Sequence, residues 1–238
     1  MTPVVLQPAF VIHRRDYRES SFLLEALTRD HGRVSLVCRG ARRKPRISGE
    51  LQPFQPLLVS WTGSGELHNL TSFEPAGAPL LLTGDNLYSG FYINEITLRM
   101  VGRGDADPAL FAAYNQAIRT LAMDTAAEPA LRIFEKRLLE VMGYALSLAM
   151  TAHDRQPVTA EAVYEYLPEQ GPMRCETAAG GLTVHGATLL ALDAENLDDP
   201  RTLLEAKRLM RALLRPHLGP KPLRSRALFR TGRDSDED

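Results

Sequence analysis

The residues with the most evident chemical capacity are cations. Arg39, Arg42, Arg43, Lys44 and Arg46 place five positive charges in eight residues, directly after an alternating apolar stretch at 32–38. Arg14, Arg15 and Arg18 precede them, and a second basic group, Lys207, Arg208, Arg211, Arg215 and Lys221, lies near the C-terminus. Guanidinium and ammonium groups at this density neutralise phosphates, which is binding chemistry and requires no bond to be made or broken. Gly40 and Pro45 interrupt the first cluster, so it is expected to form a loop that lays its charges along a polyanion. Tyr17, beside Arg14, Arg15 and Arg18, is the candidate for stacking on a base. A plain solvated surface is the alternative for both clusters.

Catalytic patterns are missing where they would be diagnostic. The chain has no G-x-x-x-x-G-K-S/T phosphate loop, no H-E-x-x-H and no G-x-S-x-G. Gly63 and Gly65 sit in a hairpin turn, away from any strand-to-helix junction that would cradle phosphate. Two cysteines, Cys38 and Cys175, are too few for a disulfide framework or a four-thiolate zinc site. His153, Cys175 and His185 are the one metal alternative, and the expectation is no metal and no cofactor. Catalysis is therefore the disfavoured class.

A net charge of −1 conceals segregation: residues 1–50 carry +5, 51–200 carry −11, 201–233 carry +9 and the last five residues −4. Charge gathered into two basic segments is what matters to a polyanion, more than the overall balance. No apolar run approaches the roughly 20 residues of a membrane span, and the first eight residues lack a signal-like pattern. The expected location is the cytoplasm.

The elements that must position these charges begin with strands. Residues 9–14, 20–28, 33–39, 57–62 and 66–73 read as five short antiparallel strands, with 30–32 and 63–65 as turns. In the third, Val34, Leu36 and Cys38 are expected to face a core, with Ser35 and Arg39 facing out. Trp61 falls on the core side of the fourth. A small barrel follows, OB-fold or SH3-like, and the long basic connection after the third strand favours the OB-fold. The Pro- and Gly-rich stretch at 75–79 marks a boundary, giving domains at 1–78 and 79–238.

Beyond it the period becomes helical. Helices are expected at 85–101, at 107–122 with Asp107 as cap and Pro108 at the first position, and at 128–142 with Gly143 ending it. Residues 153–190 lack helical period, and 163–167 with 181–184 form a small hairpin appendage. A basic helix opens at Asp199-Pro200 and runs to about 217, with Leu203, Leu204, Leu209, Leu213 and Leu214 as its apolar stripe. The class is thus α+β, a barrel followed by a mainly helical domain.

On the third helix Leu131, Phe134, Leu138 and Val141 are expected to pack inward, while Arg132, Lys136 and Leu139 follow on a neighbouring stripe. Two cations and a leucine at the edge of a core suit an acidic peptide ending in a hydrophobic residue. The plain alternative is an amphipathic helix whose Arg132 pairs with Glu128 or Glu135.

The stretches AFVIHRRDYRESSFLLE (9–25), HGRVSLVCRGAR (31–42), LQPFQPL (51–57), LYSGFYINE (87–95), EPALR (128–132) and LGPKPLRSR (218–226) together resemble the RecO family of bacterial recombination mediators. The resemblance runs through nearly the whole chain in order. It implies an N-terminal OB-fold, a helical C-terminal domain and no catalytic residue. It also implies that the protein binds and anneals single-stranded and possibly double-stranded DNA, engages the acidic tail of the single-stranded DNA-binding protein SSB, and with RecR helps load RecA. The EPALR segment, with Arg132, matches the family's tail-binding helix. Two departures stand out. Some members carry a four-cysteine zinc module in the region of 150–190, where this chain has only Cys175, and the acidic end Asp234, Asp236, Glu237 and Asp238 is foreign to the pattern. The rival class is a protein-only adaptor whose basic patches meet acidic partners.

Overall fold

The computed structural model describes residues 3–123, 127–144, 146–175 and 181–228. Five strands, β1 (Val4–Tyr17), β2 (Ser21–Thr28), β3 (Gly32–Cys38), β4 (Pro56–Thr62) and β5 (Leu67–Pro75), close into a barrel in the order β1-β2-β3-β5-β4. All neighbouring pairs are antiparallel except β3 with β5. This is the strand order of an OB-fold. Inward alternation explains the core: Val34, Leu36 and Cys38 of β3 meet Val11, Leu24, Leu57, Val59 and Trp61. The long β1 serves two neighbours because it bends. Its register shifts between Val4 and Gln7, where Leu6 takes φ 51° and donates its N–H to Ser60 Oγ at 3.0 Å.

Two expectations are corrected within the barrel. Ser35 is 2 % exposed and does not face water; it donates to Glu25 at 2.7 Å, and Glu25 pairs in turn with Arg103. The outer face of β2 and β3 is thus covered at Glu25 and Ser35 by a charged cluster with Arg33 and Arg103. The basic connection is not a loose loop either. Residues Ala41–Arg43 form a 3₁₀ turn and Pro45–Glu50 a short helix, α1. Pro45 starts that helix because its fixed φ and missing N–H suit the first helical position.

Helices α2 (Gly84–Met100) and α3 (Pro108–Ala122) pack in the same compact unit as the barrel. Asp107 caps α3 by accepting from Ala109 N at 2.7 Å and Leu110 N at 3.0 Å. Phe10 of β1 meets Tyr114 of α3 at 5.1 Å between ring centres, and the Tyr114 hydroxyl donates to Asn94 at 2.6 Å. Gly32 has φ 62°, and a Cβ there would fall 2.1 Å from the Asp105 carbonyl oxygen, so position 32 admits no side chain.

Residues 126–221 form the second unit, whereas 222–228 belong with the first. It holds α4 (Ala127–Val141), the strands β6 (Val163–Leu167), β7 (Gly171–Arg174) and β8 (Thr183–His185), α5 (Gly186–Asp193) and α6 (Pro200–Leu214). The expected hairpin is a three-stranded sheet with β6 in the middle. β7 escaped detection because Gly171 and Pro172 break the strand signal, yet an edge strand tolerates proline. α5 escaped because its sequence, GATLLALD, is apolar nearly all round and so carries no amphipathic period. The Pro-rich stretch at 75–79 separates strands from helices, while the packing units divide after residues 125 and 221.

Candidate nucleic-acid interface

The basic segment is anchored by part of its own charge. Arg42 donates its backbone N–H to the Ser20 carbonyl at 3.0 Å, and its guanidinium meets Asp16 at 2.9 Å and the carbonyls of Arg18 and Glu19 at 3.2 and 3.3 Å. Arg14, expected among the phosphate contacts, points the other way. Its Nη1 donates to the Ser48 and Leu51 carbonyls at 2.6 and 3.3 Å, and its guanidinium lies 4.5 Å from the Phe22 ring centre. Burial draws the Arg14 guanidinium below its ordinary value. Arg14 therefore clamps the end of α1 to the barrel, which corrects its assignment as a free cation.

What remains is an exposed set. Arg15, Arg18, Arg39, Arg43 and Lys44 all face solvent, with no ion pair among the described residues, and Arg46 pairs with Glu50 at 3.0 Å. The Arg18 guanidinium lies 5.2 Å from the Tyr17 ring centre. Tyr17, Arg18, Arg39, Val37, Leu67 and Asn69 line a concavity of about 600 Å³ on the outer barrel surface. Leu67 and Asn69 were not singled out from sequence, although they alternate outward on β5 opposite Ser35 and Val37. An aromatic ring bracketed by arginines over an open trough fits a flexible polyanion with planar bases.

In the second unit α6 is capped by Asp199, which accepts from Thr202 N at 2.8 Å. Ala206, Leu209, Met210, Leu213 and Leu214 are buried. Leu204 departs from the expected stripe, being 63 % exposed, because it lies on the face with Arg208, Arg211 and Arg215 at helical spacings of four, seven and eleven. Lys207 pairs with Glu128 and Arg208 approaches Glu205 at 3.8 Å; Lys221 is exposed.

Arg132, Lys136 and Leu139 of α4 correct the expected edge-of-core stripe. They are 3, 7 and 1 % exposed, since α4 packs against both α5 and α6 and buries a wider face than one stripe. Arg132 pairs with Glu135 at 2.9 Å, while its Nε and Nη1 are buried without a hydrogen-bond partner. Lys136 Nζ reaches the Asp193 carbonyl and Glu195 Oε1, each at 3.3 Å, and Glu140 at 3.5 Å. Hydrogen bonding from Arg137, ahead of opposing burial, holds the Glu195 carboxyl below its ordinary value.

Cys175 Sγ lies 3.7 Å from the Val163 carbonyl, and His185 Nδ1 lies 2.6 Å from Glu205 Oε1. Among the described residues no three His, Cys, Asp or Glu side chains are grouped to hold a metal, and no helix is long and apolar enough to cross a membrane. The acidic end at 234–238 lies outside the described residues.

Comparison with known proteins accounts for both halves of the chain. Residues 1–79 match the family model Recombination protein O N terminal, and residues 81–227 match Recombination protein O C terminal. The chain belongs to the RecO family. It is 44 % identical over 229 residues to the DNA repair protein RecO of Methylococcus capsulatus, covering 96 % of this chain and 94 % of that one. To the RecO of Halorhodospira halophila it is 47 % identical over 231 residues, covering 96 % and 97 %. To the RecO of Haemophilus influenzae it is 42 % identical over 226 residues, covering 94 % and 95 %. The two RecO models meet at residues 79–81, at the Pro-rich stretch that separates strands from helices.

Proposed function

We propose that this RecO-family chain acts in DNA repair as a recombination mediator: it binds and anneals single-stranded DNA, engages the acidic SSB tail and, with RecR, helps load RecA. The observation that carries the DNA reading is the barrel trough, which Tyr17 lines together with Arg18 and Arg39, two of the five exposed cations that have no ion pair among the described residues. Cations committed to the protein's own acceptors, such as Arg14 and Arg42, hold that surface in shape; those left without such partners neutralise phosphates. Binding is backbone-dominated and sequence-tolerant, because among the described residues the trough presents a single side-chain amide, Asn69, to read base edges. Titrating a labelled single-stranded oligomer at several salt concentrations tests it. Affinity should fall steeply with salt; no binding even at low salt would favour the protein-only adaptor.

For the SSB tail two positions compete. On α4, the buried unpartnered nitrogens of Arg132 favour a peptide carboxylate, since an unsatisfied buried donor is unfavourable until an acceptor arrives. Access to it requires neighbouring side chains to move, because Arg132 is 97 % buried. On α6, exposed Leu204 with Arg208, Arg211 and Arg215 offers an apolar contact and three cations already at the surface. Arg132→Ala and the double variant Arg208→Ala, Arg211→Ala, each checked for an intact melting transition, separate the two by binding of an acidic, hydrophobic-ended peptide.

A further inference from the structure

The barrel has a second recess, at the end formed by the β2–β3 turn and the β4–β5 hairpin, away from the basic segment. It encloses about 330 Å³, the lower end of the range of small-ligand sites. Its floor is Trp61, 4 % exposed at the end of the barrel core. His31 stands edge-on to the indole at 5.2 Å between ring centres and 82° between planes, and His68 lies on it at 6.3 Å and 47°. The His68 Nδ1 is 3.3 Å from the Gly63 carbonyl, which ties the imidazole to the hairpin. Asp30 and Thr62 add polar groups to the lining, and Asp30 is held by Arg29 through two bonds of 2.9 Å.

The chemistry of this lining selects its ligand. Among the described residues no lysine or arginine lines the recess, so it is not built for a phosphate. It presents half-buried imidazoles over an indole, which suits an uncharged planar heterocycle with hydrogen-bonding edges. β3, whose first residues adjoin the recess and whose last adjoin Arg39, is seven residues long, or about 23 Å. A single strand of a few nucleotides spans that distance, within the 4–16 nucleotides that an OB-fold occupies.

We propose that the His31–Trp61–His68 recess is a nucleobase subsite, taking one base of a strand whose phosphates run over the basic segment. The inference rests on the DNA reading above. Trp61 is the only tryptophan in the chain, so its fluorescence reports the recess directly. The full chain is titrated with a labelled thymidine 20-mer and with an abasic 20-mer, following oligomer anisotropy and tryptophan emission together. Both oligomers should bind, and only the base-bearing one should quench Trp61. His68→Ala should weaken the thymidine oligomer by about tenfold, as the loss of one stacked base does, and leave the abasic one unchanged. Circular dichroism checks its fold, with His31→Ala as the second variant. Equal quenching by both oligomers, no quenching at saturation, or equal loss of affinity for both would overturn the subsite. No anisotropy change with either oligomer would overturn the DNA reading itself, and the subsite with it.

Discussion

Among single residues, arginine has two opposite uses in this protein, and the distinction is testable. Arg14 ties α1 to the barrel through two carbonyls and the face of Phe22. Arg14→Ala should lower stability by about 1–3 kcal/mol, the range for losing charge-assisted hydrogen bonds and leaving carbonyls unpaired. Chemical denaturation measures this, and the salt dependence of DNA binding by the folded fraction should not change. A wild-type midpoint would mean that the clamp contributes nothing. Arg132 is the other kind of buried arginine. Its ion pair with Glu135 is almost fully desolvated, so removing the arginine takes away the neutralising charge of a buried carboxylate. Arg132→Ala should destabilise the fold more than Arg208→Ala, whose pair with Glu205 is long and solvent-exposed. Comparing their denaturation midpoints checks the order.

Among the elements, the contact that holds residues 222–228 responds to pH. Residues 222–228 return to the first unit and are pinned by Glu95 of α2, which accepts from Arg224 N at 3.0 Å, Ser225 N at 2.9 Å, Ser225 Oγ at 2.8 Å and Arg99 at 2.6 Å. Burial alone would raise the Glu95 carboxyl; the hydrogen bonds outweigh it and hold it below its ordinary 4.5. A depressed carboxyl stabilises the fold fully above its unfolded value and loses that contribution as pH falls through its folded one. Amide exchange at Ser225 should therefore be protected at neutral pH and accelerate, relative to the barrel core, as pH drops below about 4.5. Glu95→Gln should remove most of that pH dependence, and an unchanged profile would show that the segment is held by other contacts. The basic segment behaves differently, being fastened by Ala41, Arg42 and α1 rather than by the cations it displays. Arg43→Ala with Lys44→Ala should leave the melting temperature unaltered while reducing the log–log salt slope of single-strand binding by about 1.4, at about 0.7 per phosphate contact. A slope equal to wild type would remove the segment from the interface.

For the whole molecule, charge placement matters more than charge total. If Arg15, Arg18, Arg39, Arg43 and Lys44 each neutralise one phosphate, single-strand binding should show a log–log salt slope of about −3.5; a steeper slope would bring α6 into the contact. The acidic residues at 234–238 follow a stretch of +9, and a tethered anion beside cations competes with phosphate at a high effective concentration that salt screens. Deleting them should tighten DNA binding most at low salt, with the gain fading as salt is raised. Unaltered affinity at low salt would make them a solvated end.

Local periodicity and capping chemistry were enough to read the five strands, the Asp107 and Asp199 caps and the core position of Trp61 from sequence, because each is decided within a few residues. The outward cations of the basic segment were legible for the same reason. Alternation cannot tell that the outer face of β3 is covered, so Ser35 was misread until Glu25 and Arg103 came together from distant parts of the chain. α5 and β7 have no local period to read, and only burial in the second unit gives them form. The fate of each charge is likewise tertiary. Arg14 and Arg132 look like surface cations in the sequence, and packing turns one into a clamp and the other into a buried pair. The barrel's closure did the same for His31 and His68: 37 positions apart in the chain, they meet at Trp61 only because β3 and β5 run side by side.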